Sequence, residues 1–266
     1  MRPEHVERMK ARARNIALTV AYDGTNYHGF QRQTPPVVAV QNVLERALAK
    51  VCGEQVELAA AGRTDSGVHA YGQVVNFFTD GRIPTNRLPR AVNGLLPHDI
   101  VVTEAWEAAR DFSARHSARG KAYVYRLEEC AVPNPFTRSY AWQLFQPLDL
   151  DAMRAALALL VGTHDYSSFR AAGGAPMSPV RTLDEIRLTE EGGGRLSCYL
   201  HGNGFLYHMV RNIMSTVVSV GVGRISLERF AEIFAARDRR LASPTAPACG
   251  LYLLSVDYEG ANEEGG

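Results

Sequence analysis

The sequence predicts an α+β chain of two ferredoxin-like, RRM-like halves, with mainly antiparallel sheets, helices packed on one side and a central cleft where the halves meet. Three observations predict it. Short apolar runs with strand character alternate with longer stretches whose apolar residues recur at helical spacing, so both element types are present. The elements follow the order strand, helix, strand, strand, helix, strand, and that order then recurs. Finally, 266 residues suffice for one large domain or two of ordinary size. No identity between the halves is visible, so the repeat rests on element order. A boundary near residue 112 divides the chain into 1–112 and 113–266.

In the first half, residues 16–22 (IALTVAY) read as a buried strand ending in the turn Asp23-Gly24. Residues 37–51 read as a helix with Val40, Val43, Leu44, Ala47, Leu48 and Val51 on one face. Strands are predicted at 55–61 and 73–78, with the polar loop 62–70 between them. A short helix at 84–95 begins on Pro84 and is closed by Pro97, and a strand follows at 100–106. In the second half, 121–129 alternates as a strand, and 150–161 carries Leu150, Met153, Leu157, Leu160 and Val161 at helical spacing. Residues 181–189 and 195–201 form a hairpin over Glu191-Gly192-Gly193-Gly194. Helices are predicted at 205–222 and 227–236, and a last strand at 250–257. The Gly- and Pro-rich stretch 171–179 reads as a mobile loop.

With 46% hydrophobic and 21% charged residues, wholesale disorder is excluded. The formal net charge of +1 speaks, taken whole, against a nucleic-acid binder. That total hides two things. Lys10, Lys50 and Lys121 are the only lysines, so 26 of the 29 basic residues are arginine, the better partner for forked phosphate contacts; codon bias would produce the same excess. The acids Asp257, Glu259, Glu263 and Glu264 crowd the C-terminus, leaving residues 1–250 with 29 bases against 24 acids, a net +5. Cys52, Cys130, Cys198 and Cys249 lie far apart, with neither zinc nor disulfide spacing, so a reducing cytoplasm is expected. No membrane span and no signal peptide are expected. The N-terminal fifteen residues read as a charged arm that frays from the fold and could touch phosphates.

Four stretches carry candidate chemistry. In AAGRTDSGVHA (60–70), an acid beside an arginine is bracketed by glycines between two apolar strands, which suits a reactive carboxylate at Asp65; the same residues suit a self-bonded Asp-Ser-Gly turn. In FLYHMVRN (205–212), helical spacing puts Gly204, His208, Arg211 and Ser215 on a stripe apart from the apolar face, so Arg211 is placed to meet an anion or an acid, or to border the core. Residues 110–126 hold five bases and one acid among Phe112, Tyr123 and Tyr125, a mixture suited to single-stranded nucleic acid or to an edge strand, with one of the two tyrosine rings accessible. The fourth, YDGTNYHGFQRQ (22–33), is a polar, aromatic loop whose glycines fit no phosphate-loop spacing. The histidines show no metal spacing, and no nucleophile elbow is present.

Taken together, YDGTNYHGFQRQ, AVQNVLERAL, AAGRTDSGVHAYGQVVNF, LLPHDI, KAYVY, FLYHMVRNI and GLYLLSVDY resemble, in order and over about residues 16–258, the tRNA pseudouridine synthase A (TruA) family. The resemblance implies isomerisation of uridine to pseudouridine at positions 38, 39 and 40 of the tRNA anticodon arm, by a cytoplasmic homodimer using no metal or organic cofactor. It also implies base flipping, with Asp65 as the essential carboxylate, Arg211 as its partner, Tyr123 stacked on the target base and Arg63 beside the flipped nucleotide. Leu251 is expected among the apolar neighbours that exclude water. Ser113 departs from the histidine that family members commonly place there, which touches one phosphate or loop contact. Two other readings compete: a non-catalytic RNA-binding protein on the same fold, which has no need of Asp65, and a hydrolase of small nucleosides.

Overall fold

A computed structural model describes residues 11–174 and 177–259. The expectations for the N-terminal arm up to residue 10, for Glu263 and Glu264, and for Ala175 and Pro176 of the 171–179 loop lie outside the described residues. The chain forms two compact units. One comprises the chain up to Arg119 together with the segment from Leu253 onward, and the other is Gly120–Tyr252. The boundary expected near residue 112 falls within the first unit, and most of the last strand belongs there too.

The first unit contains β1 (Arg14–Tyr22), α1 (Val40–Cys52), β2 (Ala59–Ala60), β3 (His69–Thr79), α2 (Leu88–Asn93) and β4 (Ile100–Ala108), in the predicted order. The strands lie β4-β1-β3, antiparallel, with β2 beside β3. That is the ferredoxin-like arrangement, with one strand much reduced. The strand expected at 55–61 keeps two paired residues, because α1 takes the backbone groups a neighbouring strand would have used. Glu45 Oε1 accepts from the Leu58 N–H (3.0 Å), and Gln41 Nε2 donates to the Leu58 carbonyl (3.1 Å). Val56 and Leu58 are still buried. The edge of β3 is further covered by β10 (Leu251–Tyr258), of which Leu253–Tyr258 lies in this unit.

The described part of the arm does not fray. Arg12 Nη1 donates to the Gln55 carbonyl at 2.7 Å, and Arg14 pairs with Glu107 at 2.8 Å while donating to the carbonyls of Gly81 and Ile83. A buried amide pair fixes the segment after β4. Asn76 Nδ2 donates to Asn15 Oδ1, Asn15 Nδ2 donates to the carbonyls of Ala109 and Phe112, and the Ala114 N–H donates to Asn76 Oδ1. Each such satisfied bond contributes about 1 kcal/mol net. Phe112 packs in a cluster with Ala61, Val74, Ala114, Trp106, Val256 and Tyr258. Ser113 makes a local turn in which its Oγ accepts from the His116 N–H.

The second unit contains β5 (Ala118–Glu129), β6 (Trp142–Leu144), α3 (Leu150–Ala158), β7 (Gly162–Asp165), β8 (Val180–Gly192), β9 (Arg195–Gly202), α4 (Met209–Gly221) and α5 (Leu227–Ala236). The first two residues of β5 belong to the other unit. Strands run β5-β9-β8-β7, antiparallel, with β6 parallel to β5. The short strands β6 and β7 carry no run long enough to alternate, and the sequence pattern did not reveal them. The helices α3 and α5 start on side-chain N-caps, Asp149 accepting from the Ala152 N–H and Ser226 from the Arg229 N–H. No helix among the described residues is long and apolar enough to cross a membrane.

Candidate active site

In the first unit the fold brings together two of the four stretches, the loop around Asp65 and the loop 22–33. Hydrogen bonds join them at several points. The Tyr22 hydroxyl and Thr64 Oγ1 share a buried hydrogen bond of 2.8 Å, and the Phe30 N–H donates to the Thr64 carbonyl at 3.1 Å. Ser66 Oγ and the Gly67 N–H both donate to the Tyr27 carbonyl, at 3.2 and 3.3 Å. The Gly24 N–H donates to His69 Nδ1 at 3.1 Å. From β3, Gln73 Nε2 donates to the Gly62 carbonyl at 2.9 Å. Thr64 is buried while Asp65 is half-buried, so the neighbour is anchored and the acid itself stays partly open. The Asp65 carbonyl closes a turn by accepting from the Val68 N–H.

Two glycines permit this approach. A Cβ on Gly24 would stand 2.0 Å from the Val68 carbonyl oxygen, and one on Gly29 would stand 2.6 Å from that of Thr64. Gly29 also has φ +80°, a conformation costly for other residues. Tyr22, Tyr27, Gly29 and Gln73 therefore position the acid, and sequence reading missed them in that role. The usable signal was the spacing of glycines in YDGTNYHGF, which matched no phosphate loop because they serve loop-to-loop packing. Burial pushes the Tyr22 phenol far above its ordinary range, so it stays neutral as a hydrogen-bonding brace. Arg63 is exposed, and no carboxylate holds it among the described residues.

In the second unit, Arg211 is half-buried in the first turn of α4. The helix begins at Met209 instead of Phe205 because His208 adopts a left-handed conformation with φ 59°. Gly204 and His208 therefore stand outside the helix, and Ser215 is buried. The predicted open stripe does not form, and Arg211 is its one member left on the helix with partial exposure. Arg211 Nε donates to the Ala246 carbonyl at 2.8 Å, and the Ala246 N–H returns a bond to the Arg211 carbonyl at 3.4 Å. Behind it, fully buried Asn212 is a hub. Its Nδ2 donates to the Phe169 carbonyl, and its Oδ1 accepts from Arg239 Nη2 and Thr245 Oγ1, which holds the segment ending at Ala246.

Tyr123 and Tyr125 are both buried, at 8% and 0% exposure, so the expectation of one accessible ring fails. Tyr123 meets Phe205 edge-on at 4.9 Å, and the Tyr125 hydroxyl donates to the Pro247 carbonyl at 2.7 Å. Leu251, at the start of β10, is buried. The basic and aromatic mixture at 110–126 thus separates: its aromatics enter cores, while Arg115 and Arg119 remain exposed and Arg126 stacks on Tyr252 at 4.7 Å. Arg119 pairs with Glu259, one of the acids near the C-terminus. Among the described residues no three His, Cys, Asp or Glu side chains converge on a point where a metal ion could sit.

Residues 18–117 and 156–259 match the family model described as tRNA pseudouridine synthase. The tRNA pseudouridine synthase A of Neisseria gonorrhoeae is 47% identical over 251 residues, 94% of each chain. That of Latilactobacillus sakei is 45% identical over 244 residues, 91% of this chain and 98% of its own. That of a Thermoanaerobacter species is 43% identical over 245 residues, 92% of this chain and the whole of its own. A chain of a solved archaeal box H/ACA sRNP Nop10–Cbf5 complex overlaps 74% of this chain and 45% of its own length, at 14% identity and a TM-score of 0.37, too distant to bear on function.

Proposed function

The chain belongs to the tRNA pseudouridine synthase family, and from that premise we propose that it isomerises uridines 38, 39 and 40 of the tRNA anticodon arm with Asp65 as the catalytic carboxylate. The braced loop around Asp65 is the observation that carries this reading, because a half-buried acid beside an anchored Thr64 is held without being sealed off. Pseudouridine formation breaks the N1–C1′ bond, joins C1′ to C5, releases the C5 proton and returns a proton to N1. Atoms and electrons balance within the substrate and water, so the chemistry asks the protein for a nucleophile or base, orientation and dryness. Attack at C1′, addition to C6 and assisted elimination toward a glycal all require an ionised Asp65. Arg211 is its cationic partner in this reading, and the Ala246 carbonyl that accepts from Nε limits the directions the guanidinium can take.

The target base must leave the stack, at a cost of roughly a few kcal/mol. Tyr123 is the residue proposed to stack on it, Arg63 to contact the flipped nucleotide and Leu251 to keep water away. Because Tyr123 is buried against Phe205, its use requires one side of the ring to be uncovered when RNA binds. The family resemblance further supports a homodimer acting in the cytoplasm. Site-resolved pseudouridine mapping of unmodified tRNA incubated with the protein tests the reading. New pseudouridine at positions 38–40 is expected, conversion confined to other positions would move the site, and efficient conversion of free uridine would favour a nucleoside enzyme.

A further inference from the structure

Between Asp80 and Asp99 the chain carries Arg82, Arg87, Arg90 and His98 and not one acid. In the first unit this stretch is a fixed platform. Arg14 pins its entrance by donating to the carbonyls of Gly81 and Ile83, and Glu107 neutralises that arginine. Leu88 and Val92 bury one face of α2. Its end is tied to β4 by a reciprocal pair, Asn93 Nδ2 donating to the Val102 carbonyl (2.9 Å) and the Val102 N–H donating to Asn93 Oδ1 (2.8 Å). Arg87 and Arg90, three residues apart, are exposed and line an open recess of about 630 Å³ with Ile83 and Ala91.

Some surface arginines elsewhere are quenched by acids, while others, Arg63 and Arg115 among them, are not. Arg32 is paired with Glu45, Arg154 with Glu190, Arg229 with Glu232 and Arg240 with Asp238. Arg82, Arg87 and Arg90 are held by no carboxylate among the described residues. Two forked cations on a tethered backbone, beside a shallow open recess, suit a phosphodiester group, whose oxygens accept from both forks. The backbone that carries them is already tethered before an anion arrives.

We propose that Arg87 and Arg90 clamp the sugar–phosphate backbone of the RNA substrate, adding affinity and register without reading bases. The proposal rests on the RNA-modifying function above, and its test separates the two. Binding of an unmodified tRNA transcript is measured between about 50 and 200 mM salt for the wild type, for R87Q/R90Q, for R87K/R90K and for R229Q. The glutamine pair is expected to weaken binding by on the order of tenfold and to make the plot of log affinity against log salt shallower by about two. The lysine pair should restore most of that slope, R229Q should leave it unchanged, and kcat at saturating tRNA should stay at the wild-type value with KM raised. An unchanged slope in R87Q/R90Q, or an equal fall in R229Q, would overturn the clamp while pseudouridine formation by the same proteins left the reaction standing. The predicted slope change in a protein that forms no pseudouridine would support the clamp and count against the reaction.

Discussion

The loop around Asp65 and the first turn of α4 around Arg211 solve one problem, holding a charged side chain still, by different means. The loop has no ladder of its own, so it is braced from outside by Tyr22, Tyr27, Phe30 and Gln73. Arg211 stands in the first turn of a helix, exchanges two bonds with Ala246, and has that segment held in turn by Asn212 through Arg239 and Thr245. The loop therefore depends on residues of several elements, whereas Arg211 depends on its own helix and on the 239–246 segment that the helix holds. Substitutions at Tyr22, Gly29 or Gln73 should disturb the loop, and Arg211 should respond to changes in itself and in the 239–246 segment.

The largest expected effect is at the acid. With tRNA labelled with tritium at uracil C5, Asp65→Asn should lower tritium release by on the order of 10³ or more while tRNA binding persists. Release at the wild-type rate would remove Asp65 from the chemistry. Next, Arg211→Lys keeps the charge but loses the forked geometry and the Nε bond to Ala246. Steady-state kinetics should show kcat reduced roughly ten- to a hundredfold with urea stability altered by less than about 1 kcal/mol; an unaltered kcat would make the clamp on Ala246 purely structural. The smallest effect on turnover, and the sharpest on the comparison, comes from Gly29→Ala. Its Cβ meets the Thr64 carbonyl at a backbone of φ +80°, so urea unfolding should show a loss of roughly 1–3 kcal/mol. A loss below about 0.5 kcal/mol would mean that the loop slides freely and is not braced.

Much of this fold was legible where one local signal and the tertiary environment agree. The helix at 227–236 matches its predicted span because Ser226 caps an amphipathic run. The strand at 55–61 shrank because its apolar pattern reports burial, while pairing was decided by Glu45 and Gln41 on another element. The start of α4 was misplaced because Phe205 and Leu206 continue its apolar spacing, and nothing in a histidine announces a left-handed backbone. At the candidate site, Asp65 and Arg211 were legible as charges in unusual company. Their supports were not, because a tyrosine hydroxyl or a glutamine amide acquires meaning only from what lies opposite it. Net charge proved a poor guide for a related reason: local acid-free stretches such as 81–98 vanish in the sum.

The membership of Leu253–Tyr258 in the first unit sets an order on synthesis. Nearly all of that unit leaves the ribosome first, yet its last strand follows only after the whole second unit has been made. Until then the part of β3 that β10 covers presents unpaired backbone groups, which is the kind of edge that invites pairing with another chain. The nascent first unit thus remains unfinished through the making of Gly120–Tyr252, and emergence of Leu253–Tyr258 is the event that pairs that edge.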